Sequence, residues 1–135
     1  MKYKLQLSTL NSKSIKLPES ENDVFINSVM ISGWGYEKES IGSLPDMLQV
    51  TNVTVIPKRA CRFVYADITD NMFCAGEALG GRDSCQGDSG GGVVANNVLV
   101  GIVSWGHGCA RPGFPGVYAR VANFINWIKS KGVPV

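Results

Sequence analysis

The sequence predicts an all-β fold, an antiparallel sandwich or barrel, with one convincing helix at its C-terminal end. Sixteen glycines and six prolines are spread along the chain and separate short apolar runs at the spacing of such folds. Clear helical periodicity occurs only near the C-terminus. The length of 135 residues and the 44% of apolar residues suit one compact domain and argue against disorder.

Six apolar runs bounded by turn-forming residues are the candidate strands. They cover residues 24–32, 49–56, 71–75, 92–95, 98–105 and 116–120. Asn96-Asn97 separates two valine-rich runs, and because asparagine tolerates positive φ, the pair suits the two-residue turn of a hairpin. Residues 92–105 are therefore predicted to form a β-hairpin.

Two helical segments are expected. Residues 57–64 suit a short helical turn, whereas the longer helix is predicted from an apolar stripe at i, i+3, i+4 and i+7. That stripe consists of Val121, Phe124, Ile125 and Ile128. Lys129 and Lys131 suit the negative end of the helix dipole, and Gly132 ends the helix. We expect the stripe to dock on the barrel.

The first eighteen residues differ from the rest of the chain, with four lysines and no acidic residue. We interpret residues 1–18 as a truncated connector and residues 19–135 as the folded domain. Met1 is followed by Lys2 and Lys4 rather than by the apolar run of a signal peptide, so we expect no export signal in this chain.

Charge and hydropathy exclude two classes of partner. Thirteen basic and eleven acidic residues give a net charge of +2, which is too small for a nucleic-acid-binding surface. No stretch approaches eighteen consecutive apolar residues, so no membrane partner is expected. The single histidine is His107, so any histidine base is either this residue or lies outside the chain.

The four cysteines contain no C-x-x-C pair, which makes a zinc ribbon improbable and favours two disulfides. Three pairings are open. Pairing of sequence neighbours, Cys61–Cys74 and Cys85–Cys109, would contribute roughly 3 and 3.5 kcal/mol on the chain-entropy model. The alternative is four reduced, buried cysteines in a cytosolic protein.

The stretch that carries chemistry is Asp83-Ser84-Cys85-Gln86-Gly87-Asp88-Ser89-Gly90-Gly91. A serine hydroxyl becomes a nucleophile when a base removes its proton and preorganised donors receive the oxyanion that forms on the substrate. Glycines around a serine let the backbone turn tightly and point its N–H groups at one spot. The N–H groups of Gly87 and Ser89 are the candidate pair of donors.

The same stretch also fits the G-x-S-x-G nucleophile elbow of α/β-hydrolases, which needs a helix after the serine and then an acid and a histidine in that order. Here Gly92 leads into Val93-Val94, a predicted strand. No acidic residue occurs between Ser89 and the C-terminus. The α/β-hydrolase interpretation is therefore excluded.

Several further motifs stand in a fixed order around this stretch. They are Ile31-Ser32-Gly33-Trp34-Gly35, Asn71-Met72-Phe73-Cys74-Ala75-Gly76, Gly101-Ile102-Val103-Ser104-Trp105-Gly106, Pro115-Gly116-Val117-Tyr118 and Phe124-Ile125-Asn126-Trp127-Ile128. In order and spacing the chain resembles the C-terminal half of a trypsin-like serine protease of the chymotrypsin family. The resemblance covers roughly residues 15–132.

The resemblance implies two antiparallel Greek-key β-barrels with the active site between them, and this chain would be the second barrel with its terminal helix. Ser89 would be the nucleophile, with the N–H groups of Gly87 and Ser89 as the oxyanion hole. Asp83 would lie at the floor of the specificity pocket and favour Arg or Lys side chains. We expect the cysteines to pair as sequence neighbours, Cys61–Cys74 and Cys85–Cys109.

The resemblance also assigns substrate contacts. Gly106 and Gly116 would keep the pocket walls open, while the backbone of Ser104, Trp105 and Gly106 would pair with an extended substrate strand. Pro115 is similar to the residue in family members that lack a sodium site, so we expect no metal and no cofactor.

The chain lacks matches to the family's catalytic histidine and aspartate and to its activation cleavage site. The family's catalytic histidine and aspartate belong to the first barrel and its exit, and we expect this chain to start after both. By alignment His107 would be a solvated residue on the pocket rim. Asp88 would pair with the ammonium that activation cleavage frees, and nothing in the chain resembles that cleavage site.

Two more departures are local. Val29 and Ala95 stand where the family often has a disulfide, which suggests an apolar contact in its place, and Gly92 stands where proline is usual. Asn52-Val53-Thr54 is a glycosylation sequon, but because it falls within a predicted strand, we expect it to be unused.

Together these features predict a secreted serine endopeptidase that cleaves polypeptides after Arg or Lys through an acyl-enzyme. Its partners would be such substrates, the missing N-terminal barrel with the histidine and aspartate, and protein protease inhibitors. The 135 residues alone are expected to be inactive. The alternative is a non-catalytic serine-protease homologue that serves as a binding module.

Overall fold

The computed structural model describes residues 12–19, 27–39 and 42–133. In chain order the elements are β1 (Ser28–Gly33), β2 (Gln49–Ile56), α1 (Lys58–Val64), β3 (Met72–Gly76), β4 (Gly92–Ala95), β5 (Val98–Trp105), β6 (Gly116–Arg120), a 3-10 turn (Val121–Phe124) and α2 (Ile125–Ser130). The strands close into one antiparallel barrel in the order β1-β2-β3-β6-β5-β4. The predicted fold class is therefore confirmed.

Strand bounds agree closely with the sequence prediction. The strands β2, β4, β5 and β6 have the predicted bounds, and β3 begins and ends one residue later than the predicted 71–75. The strand predicted at 24–32 extends one residue further, to Gly33, and begins at Ser28. The bend at Asn27 precedes it. Residues 24–26 of that prediction lie outside the described part of the chain.

The hairpin between β4 and β5 forms as predicted. Asn96 and Asn97 connect the strands with φ values of 49° and 62°, the left-handed region that asparagine tolerates. A register shift between Val93 and Val94 marks a bulge in the pairing of β4 with β5.

The barrel interior is filled by side chains that alternate along the strands. On β1, for example, Val29 and Ile31 are 1% and 3% exposed, whereas Met30 between them is 40% exposed. The buried cluster consists of Val29, Ile31, Val53, Phe73, Ala75, Val93, Ala95, Val100, Val103 and Tyr118. Val29 and Ala95 thus belong to one apolar cluster, in keeping with the apolar contact expected at these positions.

The two disulfides are Cys61–Cys74 and Cys85–Cys109. The first ties α1 to β3 inside a second buried cluster that contains Tyr65, Ile68 and Val117. The second joins the segment before Ser89 to the segment after β5. Cross-links of this kind are typical of proteins in oxidising compartments.

The C-terminal helix differs from the prediction at its start. Its first turn, Val121–Phe124, is a 3-10 helix, and only Ile125–Ser130 is α-helical. Because the 3-10 turn has three residues per turn, the expected stripe does not run straight. Val121 and Ile125 are buried, whereas Phe124 is 37% exposed.

The segment around Lys16 contacts the barrel near the β4–β5 hairpin. Lys16 forms an isolated parallel bridge with Val98, and its carbonyl accepts a hydrogen bond from the Leu99 N–H (2.9 Å). None of the helices among the described residues has the length and apolar character needed to cross a bilayer.

Gly101 generates a test of core packing. A Cβ added there would lie 2.7 Å from the ring of Phe73, which is itself buried. We expect Gly101→Ala to lower the free energy of unfolding of the full-length protein by about 1–3 kcal/mol, measured by denaturant titration. Gly106→Ala is the matched control, because its Cβ would have its nearest neighbour at 3.6 Å. Equal stability of the two variants would contradict this packing.

Candidate active site

The loop that carries Ser89 lies between β3 and β4 and is held by backbone hydrogen bonds. The N–H of Asp88 donates to the Cys85 carbonyl (3.0 Å), and the N–H of Gly90 donates to the Val103 carbonyl (2.9 Å). Gly87 and Gly90 have φ values of 97° and 82°, which L side chains rarely adopt. The turn leaves Ser89 exposed to solvent.

The carboxylate of Asp88 pins this loop to the end of β1. It accepts hydrogen bonds from the backbone N–H groups of Gly35 (2.8 Å) and Cys85 (3.0 Å). Side chains on Gly33 or Gly35 would overlap this carboxylate, so both glycines provide the space that it occupies. No described cation forms a salt bridge with Asp88.

The carboxylate of Asp83 is held by three donors. The N–H of Ser84 (2.8 Å) and the Tyr118 hydroxyl (3.1 Å) donate to Oδ1, and the N–H of Ala110 (3.0 Å) donates to Oδ2. Since the single proton of Tyr118 goes to Asp83, the Ser84 hydroxyl donates to Tyr118 (3.2 Å).

The electrostatics of this group follow from burial. Burial raises the pKa of Asp83, the three hydrogen bonds oppose that rise, and the charge of Asp88 adds to it. Burial and the neighbouring charge of Asp83 also raise the pKa of Tyr118, which keeps its hydroxyl protonated as a donor. The result is a partly buried anion that has no cationic partner among the described residues.

A cavity of about 190 Å³ connects Asp83 to Ser89. Its lining also includes Ser104, Trp105 and Gly106, so five of the residues expected at the site share one pocket. Gly116 borders the same carboxylate, because a Cβ there would lie 2.5 Å from Asp83 Oδ1. Asp88 lines a second cavity of about 600 Å³ together with Gly33 and Gly35, and Asp83 borders this cavity as well.

The strand edge beside the pocket is open. Pairing of β4 with β5 ends at Gly92↔Ile102, and the last backbone hydrogen bonds on that side join Val103 to Gly90 and Gly91. Beyond them, residues 104–106 are exposed and have no partner strand on that side among the described residues.

An aromatic cluster forms the rim beyond this edge. Tyr65 packs edge-on against Trp105 (centroids 5.0 Å apart) and His107 (5.2 Å), and its hydroxyl donates to the Pro115 carbonyl (2.9 Å). His107 also lies beside Phe114 (5.9 Å). The histidine is exposed, and no hydrogen bond joins it to Ser89 among the described residues.

An ion pair between Glu39 and Arg111 lies beside the backbone at Cys109. Glu39 accepts from Arg111 Nε (2.7 Å) and Nη2 (2.5 Å) and from the Cys109 N–H (3.3 Å). Gly108 leaves room for this approach, because a side chain there would overlap Glu39 and Arg111. The guanidinium of Arg111 holds the pKa of Glu39 below its usual range.

Sequence reasoning missed Tyr118, Tyr65 and the roles of Gly33 and Gly35. For Tyr118 a signal existed, since period-two alternation on β6 puts it on the same face as Gly116, beside the pocket. The glycines gave no such signal, because the carboxylate that they accommodate is more than fifty residues away in sequence. Within the described residues no group of three His, Cys, Asp or Glu side chains is placed to hold a metal ion.

Comparison with known proteins gives the same family that the site suggests. The trypsin family model matches residues 3–128. The chain belongs to the trypsin family. It is 54% identical over 138 aligned positions to trypsin Blo t 3 of Blomia tropicalis, covering 98% of this chain and 52% of that protein.

Vertebrate relatives show a similar match. Identity is 49% to the trypsin of Xenopus laevis, over 89% of this chain and 49% of that protein. It is 48% to the trypsin of Sus scrofa, over 90% of this chain and 54% of that protein. The chain thus spans about half the length of the curated trypsins that it matches.

The raised pKa of Asp83 predicts a pH dependence of stability. The folded pKa of Asp83 lies above its unfolded value of about 3.9. Below the unfolded pKa, the carboxyl is protonated in both states and does not change the free energy of unfolding. As pH rises from the unfolded to the folded pKa, the free energy of unfolding falls. We therefore expect full-length wild type to lose stability relative to Asp83→Asn as pH rises across that window.

Denaturant midpoints of the two proteins, measured between about pH 3 and 7, check this. Asp46→Asn, at an exposed loop position, is the matched control and should show no such divergence. A gap that stays constant, or that moves in favour of wild type as pH rises, would contradict the assigned burial of Asp83.

Proposed function

We propose that this chain forms the substrate-recognition half of a trypsin-like serine endopeptidase that cleaves polypeptides after Arg or Lys. The observation that carries the proposal is one pocket that both Asp83 and Ser89 line. A protease of this kind needs both groups within the reach of one substrate side chain and its scissile bond.

Charge complementarity supports the choice of Arg and Lys. The Asp83 carboxylate is partly desolvated and has backbone and phenol donors but no described cation. A guanidinium or ammonium in the pocket would supply the missing charge and favour the ionised carboxylate. An apolar side chain of the same length would leave that charge unpaired, which costs several kcal/mol.

The open edge at residues 104–106 supports a polypeptide as the substrate. Ser104, Trp105 and Gly106 offer backbone N–H and C=O groups that an extended chain can pair with, as in β-strand addition. A substrate strand bound there would place its side chain in the adjacent pocket, which the same three residues line.

The proposed chemistry is acyl transfer. Ser89 Oγ attacks the substrate carbonyl, the Gly87 and Ser89 N–H groups receive the oxyanion, and the amine leaves with a proton. Water then repeats the attack and releases the acid. Each half-reaction needs a base near Ser89, and His107 packs against Tyr65 and Phe114 instead.

We therefore propose that the histidine and aspartate come from a first barrel outside these 135 residues, and that the chain alone is inactive. Loss of the histidine costs on the order of 10⁶-fold in turnover, with about 10³–10⁴ over water left from the oxyanion hole and binding. We also propose that Asp88 pairs in the mature enzyme with a freed N-terminal ammonium. In support, Asp88 lines the cavity of about 600 Å³ and forms no salt bridge with a described residue.

The proposed compartment is extracellular. Disulfides form and persist where the environment is oxidising, and all four cysteines are paired here. An enzyme of this kind also meets protein protease inhibitors, which bind such clefts as substrates do, so we include them among the proposed partners.

The specificity of the full-length enzyme tests the pocket assignment. Asp83→Ser should lower kcat/KM for peptides with Arg or Lys before the scissile bond by roughly 10²- to 10⁴-fold, because the substrate charge loses its buried partner. Asp46→Ser is the matched control, since Asp46 lies in an exposed loop. An unchanged preference for Arg and Lys would show that another group recognises the charge.

Covalent labelling tests the chemistry at Ser89. An organofluorophosphonate should modify Ser89 in the activated full-length protein, and the 135-residue chain should react at least about 10³-fold more slowly because it lacks the base. Ser104→Ala, an exposed serine on the pocket wall, controls for other hydroxyls and should still be labelled. An unlabelled Ser89 in the activated protein would favour the non-catalytic binding module.

A further inference from the structure

The sequon Asn52-Val53-Thr54 lies in the middle of β2, where the barrel determines which way each side chain points. Val53 is 1% exposed and belongs to the core cluster. Its two neighbours must then point away from the barrel, and both are exposed. The sequon was expected to be unused because it falls within a strand. In the structure, however, Asn52 lies on the outer face of that strand and is exposed.

The side-chain amide of Asn52 is free to react. No described residue forms a hydrogen bond with it, whereas the Thr54 hydroxyl donates to Glu77 Oε1 (3.2 Å). The pairing of β2 with β3 ends at Thr54↔Gly76, so among the described residues only β1 lies beside Asn52. Its partner there is Met30.

Two exposed apolar side chains lie beside Asn52. Met30 opposite it is 40% exposed, and Val50, two residues away on the same face, is 58% exposed. A bulky, hydrophilic oligosaccharide on Asn52 would lie over these side chains and shield them. Asn52 itself lines neither the pocket of Asp83 nor the cavity of Asp88.

We propose that Asn52 carries an N-linked glycan and that the outer strip of β1 and β2 around it faces solvent in the full-length protein. In the transfer, Asn52 Nδ2 bonds to the anomeric carbon of a lipid-linked oligosaccharide. The bond from that carbon to the lipid diphosphate breaks, the diphosphate leaves, and the amide proton passes to the transferase base. Because transfer occurs on the extended chain, strand pairing does not prevent it, and the fold only has to leave Asn52 outside.

This inference rests on the proposed secretion of the protein, so the experiment supplies the compartment. The full-length protein is expressed in a eukaryotic host behind a secretion signal, and both medium and lysate are analysed. Lys38 and Lys58 delimit the diagnostic peptide, residues 39–58. We expect a glycan on that peptide, and its removal by an N-glycosidase should convert Asn52 to aspartate.

Three variants identify the acceptor. Asn52→Gln and Thr54→Ala should each abolish the glycan, whereas Thr54→Ser keeps the hydroxyl and the motif and should retain it. No other N-x-S/T sequence occurs in the 135 residues, so loss of the glycan from residues 39–58 has one interpretation. An unmodified Asn52 in wild type that has reached the medium would overturn the proposal.

The outcome is separable from the test of the proposed function. Ser89 labelling is measured on the same preparation after activation. A glycosylated but unlabelled protein would overturn the proposed chemistry and support the glycan. A labelled protein with a bare Asn52 would do the reverse, and would indicate that the β1–β2 strip is covered.

Discussion

The Asp88 carboxylate is the constraint on which the rest of the site depends. Its hydrogen bonds to the Gly35 and Cys85 N–H groups join the end of β1 to the loop that carries Ser89. Gly35 lies 53 residues from Asp88, and neither loop has regular structure of its own. A backbone bond from the Tyr36 N–H to the Gln86 carbonyl (2.9 Å) joins the same two segments. Without the carboxylate, the backbone between Cys85 and Ser89 would lose a contact that restrains its N–H groups, since a glycine-rich turn has high conformational freedom.

The two carboxylates of the site, Asp83 and Asp88, both line the cavity of about 600 Å³, and neither forms a salt bridge with a described residue. Asp83 is surrounded by neutral donors, Asp88 by backbone N–H groups, and the charge of Asp88 adds to the rise in the pKa of Asp83. A chain with a net charge of +2 therefore keeps two neighbouring carboxylates that form no salt bridge with a described cation. Such an arrangement is stable when cations come from elsewhere, which is what the proposed substrate and the proposed ammonium would do.

The sequence predicted the fold well because the residues that end each strand act through their local backbone preferences. Asn96-Asn97 ends one strand and starts the next through its own backbone preference, so the bounds of β4 and β5 follow from short stretches. The 3-10 start of the terminal helix was missed, because apolar spacing cannot separate three from 3.6 residues per turn over four positions. At the site, Ser89 and Asp83 were predicted from a motif, and the alternation on β6 also carried a signal for Tyr118. The role of Gly35 depends on a carboxylate 53 residues away, which spacing does not encode.

The proposed recognition and the proposed chemistry are separable in this chain because different kinds of contact support them. Asp83 is held by described residues, since Ser84, Ala110 and Tyr118 donate hydrogen bonds to its carboxylate. Ser89 is exposed, and its proposed role as the nucleophile requires a proton acceptor that we propose lies outside these residues. The proposed binding of a cationic side chain needs ionised Asp83. Because burial raises the pKa of Asp83, we expect that binding to tighten as pH rises through this pKa, whether or not a base is present.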